Sequence, residues 1–260
     1  TICMSLLADK TAIVTGASSG NGRAIAQMYH EHGAAVVIAD IQSEPREGGT
    51  PTHERITDDG GDAVFIETDV TDFDACVDAV DAAGEFGGVD IMVNNAGIVG
   101  PQGPLTELDM DAYEQLMAVN LEGVFNGSRA AAAAMTDAGT EGSIINMSSV
   151  AGINGYGGIT PYSAAKGAVR TFTYALASEL GPDGIRVNAI HPGVIETAMT
   201  TEDVPTVGTE EGEATLETVP LGRFGQPDDV AGVATFLASE LSSYVSGESI
   251  IVDGGQLNTA

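Results

Sequence analysis

The chain has 260 residues, enough for one large α/β domain or two small ones. Its 38 acidic and 9 basic residues give a formal net charge of -29, and such a surface repels nucleic acid and anionic membranes. No apolar run is long enough for a membrane span and no basic stretch leads into an apolar segment, so we expect a soluble cytoplasmic protein.

The acidic residues are spread along the chain rather than gathered into a tail. The segments that carry them keep an apolar periodicity, so disorder is a poor explanation. Only Lys10 and Lys166 remain as lysines. We interpret this balance as adaptation to a saline cytoplasm, where concentrated cations screen self-repulsion; an ordinary acidic protein is the alternative.

Short β-branched runs alternate with helical segments along the chain, which is typical of a parallel sheet covered on both faces. The predicted strands are residues 11–15, 35–40, 63–68, 91–94, 143–147, 185–190 and 248–252. The predicted helices are residues 23–32, 72–86, 108–135, 162–180 and 228–239. Because crossovers between parallel strands are right-handed, we predict one doubly wound Rossmann-type α/β domain over residues 1–260, with a seven-stranded parallel sheet.

Two segments interrupt this alternation. Residues 42–61 are rich in Gly, Pro and charge, which predicts a loop beside a short helix. Residues 197–219 are acidic, rich in Thr, and follow a predicted strand. They would overhang the carboxyl edge of the sheet, where open α/β sheets bind ligands, so we predict that they form a substrate lid.

A glycine-rich loop, Thr-Gly-Ala-Ser-Ser-Gly-Asn-Gly at residues 15–22, joins the first strand to a helix. Such a loop can turn tightly and bring backbone amides to a pyrophosphate at the positive helix end, although a plain tight turn is the alternative. Asp40 ends the second strand, where its carboxylate can accept hydrogen bonds from both adenosine ribose hydroxyls. It would repel the 2′-phosphate of NADP, and no Arg or Lys follows directly, so NAD is the predicted cofactor. A cap of the following turn is the alternative role for Asp40.

Tyr162 and Lys166 lie four residues apart at the start of a predicted helix, so their side chains share one face. A surface pair is the ordinary interpretation, but Lys166 is one of only two lysines. A free tyrosine titrates near pH ~10 and is a poor base at neutral pH. The ammonium, with the positive charge of oxidised nicotinamide, is expected to lower the pKa of Tyr162 by about three units, or roughly 4 kcal/mol.

With these features together, the chain resembles the short-chain dehydrogenase/reductase family over essentially its full length. The loop at residues 15–22 is similar to that family's TGxxxGxG motif, and residues 94–97 (Asn-Asn-Ala-Gly) to its NNAG motif. Residues 191–197, His-Pro-Gly-Val-Ile-Glu-Thr, are similar to its PG segment. Asn21 departs from the usual isoleucine or leucine. In its acidity the chain resembles a haloarchaeal-type, NAD-dependent member.

The resemblance implies four catalytic residues: Asn120, Ser149, Tyr162 and Lys166. Tyr162 exchanges a proton with the substrate oxygen, which Ser149 orients. Lys166 contacts the nicotinamide ribose, and Asn120 links Lys166 to solvent through water. Ser148 is rejected, because its side chain should point to the opposite side of an extended segment. The implied cofactor contacts are Gly16, Ser18, Ser19, Gly20, Asn21, Gly22, Asp40, Ile41, Asp69, Val70, Asn94, Ala96, Gly97, Tyr162, Lys166, Pro192, Gly193, Ile195 and Thr197.

The predicted function is hydride transfer between NAD and the CH–OH or C=O carbon of a secondary alcohol, sugar or hydroxy acid. A 3-oxoacyl-thioester ketoreductase of the same fold is one alternative, and a non-catalytic nucleotide-binding regulatory protein is another. We expect a small neutral substrate, because the lid has no aromatic or basic residue. The expected pocket lining is residues 98–103, residues 153–158 and Ile195, with Tyr156 at the edge.

Assembly and metal binding can also be predicted. The resemblance implies a homotetramer, with the helices after Leu108 and Tyr162 at one interface and the strand at residues 249–252 at the other. The histidines are scattered, and Cys3 and Cys76 have no metal-binding spacing, so no metal site is expected. Neither nucleic acid nor a membrane is an expected partner.

Overall fold

Seven parallel strands form one sheet in a computed structural model that describes residues 5–259. Their order across the sheet is β3-β2-β1-β4-β5-β6-β7. The strands are β1 (Thr11–Thr15), β2 (Ala35–Asp40), β3 (Ala63–Glu67), β4 (Ile91–Asn94), β5 (Ser143–Met147), β6 (Arg186–Pro192) and β7 (Ser249–Val252). The order reverses between β1 and β4, which confirms the predicted doubly wound Rossmann-type fold and marks the expected ligand crevice.

Helices cover both faces of this sheet. Within residues 5–259 the α-helices are α1 (Gly20–Glu31), α2 (Thr52–Asp58), α3 (Phe73–Ala82), α4 (Met110–Met117), α5 (Gly123–Ala138), α6 (Thr160–Leu180), α7 (Glu210–Leu216) and α8 (Pro227–Ala238). Shorter helical turns are Ala83–Phe86, Leu105–Glu107, Ala118–Glu122, Val150–Gly152, Gly181–Asp183, Met199–Asp203 and Glu240–Ser242. None of these helices is long and apolar enough to cross a membrane.

The central strands are apolar on both faces because each face is covered by helices. Ala12 and Val14 of β1 belong to one buried cluster, which includes Tyr29 of α1. Ile13, between them, belongs to a second cluster that includes Met135 of α5. Alternate β1 residues therefore enter opposite cores, and the strand reads as a continuous apolar run.

The predicted boundaries needed correction in one long helix. Residues 108–135 were expected to form a single helix, but the structure has α4, a π-helical turn at Ala118–Glu122, and then α5. Gly123 packs against Val70, where a Cβ would lie 2.6 Å from Val70 Cγ2. The backbone at Gly123 is therefore held close to Val70. Apolar periodicity gives no sign of such a contact, so it predicted one continuous helix.

Candidate active site

The glycine-rich loop joins β1 to the amino end of α1, and hydrogen bonds from the segment just after β4 hold it in place. The Asn95 side-chain amide donates to the carbonyl oxygens of Thr15 at 2.9 Å and Gly16 at 3.2 Å. A Cβ on Gly22 would overlap the Gly16 carbonyl oxygen, so the close turn requires glycine. The loop therefore lies at the switch point between β1 and β4.

Asp40 ends β2 beside this loop. One oxygen of its carboxylate accepts from the Ser18 amide at 2.9 Å, and the Ser18 hydroxyl donates to the Gln42 carbonyl at 2.6 Å. Burial raises the pKa of Asp40, and hydrogen bonds from the Ser18, Ile41 and Gln42 amides and the Ser18 hydroxyl oppose that rise. Asp40 thus accepts hydrogen bonds from the glycine loop and from the turn that follows it, and it is held where an adenosine ribose is expected.

Tyr162, Lys166 and Ser149 meet at the carboxyl edge of the sheet. Lys166 Nζ lies 5.8 Å from the centre of the Tyr162 ring, one helical turn away on α6. Ser149 follows β5, and its hydroxyl hydrogen-bonds with the Tyr162 hydroxyl. The Ser148 hydroxyl instead donates to the Lys166 carbonyl oxygen at 2.8 Å, so it takes part in packing rather than in the site.

The ionisation of Tyr162 and Lys166 differs from the expectation. Burial raises the pKa of Tyr162, and the hydrogen bond from Ser149 lowers it by less. Burial also lowers the pKa of Lys166 to about 8, and Lys166 Nζ donates to the Met147 carbonyl at 2.9 Å. In the protein without cofactor the pKa of Tyr162 is therefore raised rather than lowered, because removal from water disfavours both charged forms; the predicted lowering, which includes the charge of bound nicotinamide, stays a prediction.

Asn120 lies in the π-helical turn and is fully buried. Its side chain accepts from the Ile98 amide at 2.8 Å and donates to the Ile98 carbonyl at 2.7 Å. A Cβ on Gly97 would lie 3.2 Å from Asn120 Oδ1 and 3.5 Å from Lys166 Nζ, so the missing side chain lets the two residues approach. Both ends of the Asn120 side-chain amide are therefore engaged by Ile98.

The remaining predicted cofactor residues lie at or near the same edge. Thr197 faces the glycine loop, since a Cβ on Gly20 would lie 3.3 Å from Thr197 Cγ2. Asp69 is exposed and accepts from the Thr71 amide and hydroxyl at 2.9 and 2.8 Å. The other members of the predicted set at strand ends and loops are Ile41, Val70, Ala96, Pro192 and Gly193.

The side chains of two predicted contacts, Asn94 and Ile195, are used in packing, so a contact with the cofactor through their backbone groups stays a prediction. The Asn94 side chain is buried and donates to Ser128 at 2.9 Å and Asn146 at 2.8 Å, so it is used inside the packing rather than in the cleft. Ile195 was expected to line the pocket, but its side chain belongs to the buried core and packs against Gly225. Strand position alone did not show which way these side chains turn.

The loop, Asp40 and Thr197 fit a dinucleotide. Among the described residues, the backbone amides of Asn21 and Gly22 have no hydrogen-bond acceptor, and they point from the first turn of α1. The Asn21 side-chain oxygen is buried without a partner. Free donors at a helix N-terminus suit a pyrophosphate, and the position at the switch point suits the two halves of a dinucleotide.

The sequence predicts a structural rather than a catalytic role for His191, where many relatives carry asparagine, but it did not show that His191 holds Ser149. Its ring Nδ1 lies 2.9 Å from the Ser149 carbonyl oxygen, and its Nε2 lies 2.9 Å from the Ser249 hydroxyl. Ser249 contacts the Tyr174 hydroxyl at 2.7 Å, which accepts from Arg170 Nε at 2.7 Å. The Arg170 guanidinium can only donate, and the Ser149 carbonyl can only accept. The hydroxyls of Tyr174 and Ser249 therefore both donate in the direction of Ser149, and His191 carries its proton on Nδ1. The only sequence signal was histidine in place of the family's usual asparagine.

The described residues hold no cluster suited to a metal ion. Within residues 5–259 there is no group of three or more His, Cys, Asp or Glu side chains close enough to bind one. Cys76 is a buried free thiol, and burial raises its pKa to about 11. The predicted bystander Cys3 lies outside the described residues.

Comparison with known proteins adds an independent line of observation. The family model described as enoyl-(acyl carrier protein) reductase matches residues 16–256. L-rhamnose 1-dehydrogenase (NAD(P)(+)) of Azotobacter vinelandii is 42% identical over 252 residues, covering 96% of this chain and 97% of that protein. Trans-4-hydroxycyclohexanecarboxylate dehydrogenase of Sinomonas cyclohexanicum is 40% identical, covering 96% of this chain and 93% of that protein.

A solved structure has the same fold. The crystal structure of a short-chain type dehydrogenase/reductase from Mycobacterium marinum superposes with a TM-score of 0.89 at 36% sequence identity. The match covers 98% of this chain and 98% of that chain. The likeness therefore extends over the whole sheet and includes the edge where the candidate site lies.

Proposed function

Because this chain belongs to the short-chain dehydrogenase/reductase family, we propose that it transfers a hydride between NAD and the CH–OH or C=O carbon of a secondary alcohol, sugar or hydroxy acid. The observation that carries this proposal is the meeting of Ser149, Tyr162 and Lys166 beside the glycine loop. Binding a nucleotide without turnover would not require a tyrosine hydroxyl placed between a serine and a lysine.

In the oxidative direction the nicotinamide, when bound, accepts the hydride. Tyr162 as phenolate takes the alcohol proton, and in the reductive direction its hydroxyl returns a proton to the developing alkoxide. Ser149 orients the substrate oxygen through the hydroxyl that already contacts Tyr162. The chain of hydrogen bonds through His191 keeps the Ser149 backbone in place.

Lys166 supports the proton transfer through its charge. With a pKa of about 8, its amine is mostly protonated at neutral pH although it is buried. A charge this close to the Tyr162 ring favours the phenolate once the substrate and cofactor replace water around it. Asn120, beside Gly97, would hold the water that carries protons from Lys166 to solvent.

NAD is the cofactor that the proposal favours over NADP. Asp40 would place a carboxylate against a 2′-phosphate. The backbone amide of Arg46 donates to the Ser19 hydroxyl of the glycine loop, but the Arg46 guanidinium is already paired with Asp203 at 2.8 Å and Glu202 at 3.1 Å. The name of the Azotobacter relative includes both cofactors, so this preference must be measured.

We expect Asp40→Asn to lower the ratio of kcat/KM for NAD to that for NADP by about ten-fold or more, which equals about 1.4 kcal/mol. The amide keeps an acceptor for Ser18 but removes the charge that repels the phosphate. Glu67→Gln is the matched control, because Glu67 pairs with Asp40 across β2 and β3 and is exposed. An unchanged ratio in Asp40→Asn would remove the basis for NAD preference.

The substrate that the pocket favours is small and neutral. The predicted lining segments meet where the Gly103 amide donates to the Gly158 carbonyl at 2.8 Å, with Tyr156 partly exposed nearby. Residues 197–219, which contain α7, would cover this space as a lid without adding a basic side chain. The names of the two relatives specify a sugar, which is neutral, and a cyclic hydroxy acid, whose carboxylate is charged; both molecules carry a CH–OH group.

A turnover panel tests the function. Absorbance of reduced nicotinamide would be followed with sugars, cyclic alcohols, hydroxy acids and 3-oxoacyl thioesters, each with NAD and NADP in high KCl. We expect turnover on secondary alcohols. Preference for the thioesters would support the ketoreductase alternative, and nucleotide binding with no turnover on any member would support a regulatory protein.

We also propose a cytoplasmic homotetramer adapted to a saline cell interior. The charge of -29 favours screening by salt. The exposed Phe125 stacks on Phe172 at 5.7 Å between α5 and α6, and β7 ends the sheet with a free edge, so two surfaces suit the proposed interfaces.

We expect the thermal unfolding midpoint and the mass measured by light scattering to rise with KCl, because cations screen repulsion within and between subunits. Both measurements would use the same KCl series, with a potassium-free osmolyte as control for solvent exclusion. A midpoint independent of KCl would argue against salt adaptation, and a monomer in high KCl would argue against the tetramer.

A further inference from the structure

We propose that Glu47 competes with the cofactor pyrophosphate for the amino end of α1, so that residues 42–49 act as a strap that sets dinucleotide affinity. The inference rests on the proposed function. Its starting observation is that the Gly20 amide donates to Glu47 Oε1 at 3.1 Å. A carboxylate therefore already occupies part of the anion position that the glycine loop creates.

Several contacts hold the strap in this position. The Arg46 amide donates to the Ser19 hydroxyl oxygen at 2.7 Å, and Pro45 is buried. Arg23 Nε lies 3.9 Å from the Glu47 carboxylate. Each contact joins the strap to the glycine loop or to the first turn of α1, so Glu47 is placed by the fold and not by a chance rotamer.

The strap also joins the glycine loop to the proposed lid. The Arg46 guanidinium donates two hydrogen bonds to Asp203, each 2.8 Å long, and a third to Glu202 at 3.1 Å. These side chains are all partly exposed, so the pairing is modest in strength and sensitive to salt. The ion pairs that join the strap to the proposed lid can therefore break with only a small loss of free energy.

The strap lies between two fixed points, and the freedom to move lies between them. Asp40 is fixed at one end by Ser18, and beyond the other end Thr52 is fully buried and donates to the Ala17 carbonyl at 2.9 Å. Between them, Gly48 and Gly49 have φ of +76° and +91°, and nothing lies within 4 Å of where their Cβ atoms would be. The pair can therefore absorb a swing of the strap between fixed points.

Charge makes the two occupants exclusive. A pyrophosphate on the first-turn amides of α1 that are free, Asn21 and Gly22, would lie beside the Glu47 carboxylate on the adjacent Gly20 amide, and like charges at that distance repel. Binding must then displace Glu47 from Gly20, and the apparent dissociation constant equals the intrinsic one divided by the fraction of molecules in which the strap is already displaced. The structure thus assigns Glu47 a role in affinity without placing it in the chemical step.

The test compares Glu47→Ala with Glu44→Ala by calorimetric titration. Glu44 lies on the same strap and is exposed, so its removal changes the net charge equally but leaves the Gly20 amide untouched. The probes are ADP-ribose, which carries the pyrophosphate, and adenosine, which carries no phosphate. We expect Glu47→Ala to bind ADP-ribose about five-fold more tightly than the unaltered protein, as loss of a competing charge at a helix terminus implies.

The controls separate the inference from the proposed function. Adenosine affinity should be unchanged in both variants, and Glu44→Ala should change ADP-ribose affinity by less than about two-fold. An equal rise in ADP-ribose affinity in both variants would show that net charge alone causes the effect. That result would overturn the proposed role of the strap and leave the proposed function intact. Unchanged or weaker ADP-ribose binding in Glu47→Ala would overturn it as well. If no form binds ADP-ribose, both the strap and the proposed function fail.

Discussion

Tyr162→Phe should lose hydride transfer by about a thousand-fold or more while cofactor binding is preserved, because the phenol is the proposed proton donor and acceptor. The phenyl ring keeps the packing on α6 and removes only the oxygen that contacts Ser149. The Ser149 hydroxyl remains and accepts from the Ala151 amide, but an aliphatic hydroxyl is a much weaker acid than a phenol and is a poor replacement in proton transfer. Turnover of the best substrate from the panel, with cofactor affinity from reduced-nicotinamide fluorescence, provides the measurement.

Tyr244→Phe is the matched control for this substitution. Tyr244 is fully exposed and lies with Lys10 at the amino edge of the sheet, opposite the candidate site. It should keep normal turnover. Activity of Tyr162→Phe within ten-fold of the unaltered protein would show that the proton moves by another route, and the assignment of the site would then have to be abandoned.

Lys166→Met should remove most activity and also change how stability depends on pH. Burial lowers the pKa of Lys166 from its ordinary value of 10.5 to about 8, so the folded state releases the proton before the unfolded chain does. Below pH 8 both states are protonated and the full cost of the buried charge is present. Above pH 8 the unfolded chain binds more protons, so the unaltered protein gains stability as the pH rises.

The measurement is the free energy of unfolding in urea for the unaltered protein and Lys166→Met between pH 7 and pH 9.5. We expect the free energy of unfolding of the unaltered protein, relative to that of the variant, to rise by about 2 kcal/mol across this pH range. The comparison across pH is needed because methionine also leaves the Met147 carbonyl without its donor, a cost that does not vary with pH. Parallel curves would contradict a pKa of about 8.

Lys10→Met is the control for removing a lysine. Lys10 pairs with Asp90 at 3.1 Å at the opposite edge of the sheet, so turnover should be unaffected. Because the chain has only these two lysines, the pair of variants accounts for every ammonium side chain in the protein. Loss of turnover in Lys10→Met would mean that the activity depends on overall charge and not on the position of Lys166.

Much of the fold could be predicted because its cause is local. The β-branched runs that enter two cores specify strands to within about two residues, and the glycine loop follows the first strand as it does in dinucleotide-binding folds. The spacing of Tyr162 and Lys166 on one helix face was also local. The direction of the Asn94 side chain was not, because it depends on Ser128 and Asn146 from later segments.

The amino-acid sequence by itself determined the order of strands and helices, the glycine loop, and which residue types could carry proton transfer, since these depend on periodicity and spacing over a few residues. Only the tertiary structure decided the pKa direction of Tyr162, because burial is a property of everything packed around a side chain. It also decided that Glu47 meets the Gly20 amide and that Arg46 meets Asp203, 157 positions away. Contacts between such distant positions have no local signal, because chain folding rather than spacing brings them together.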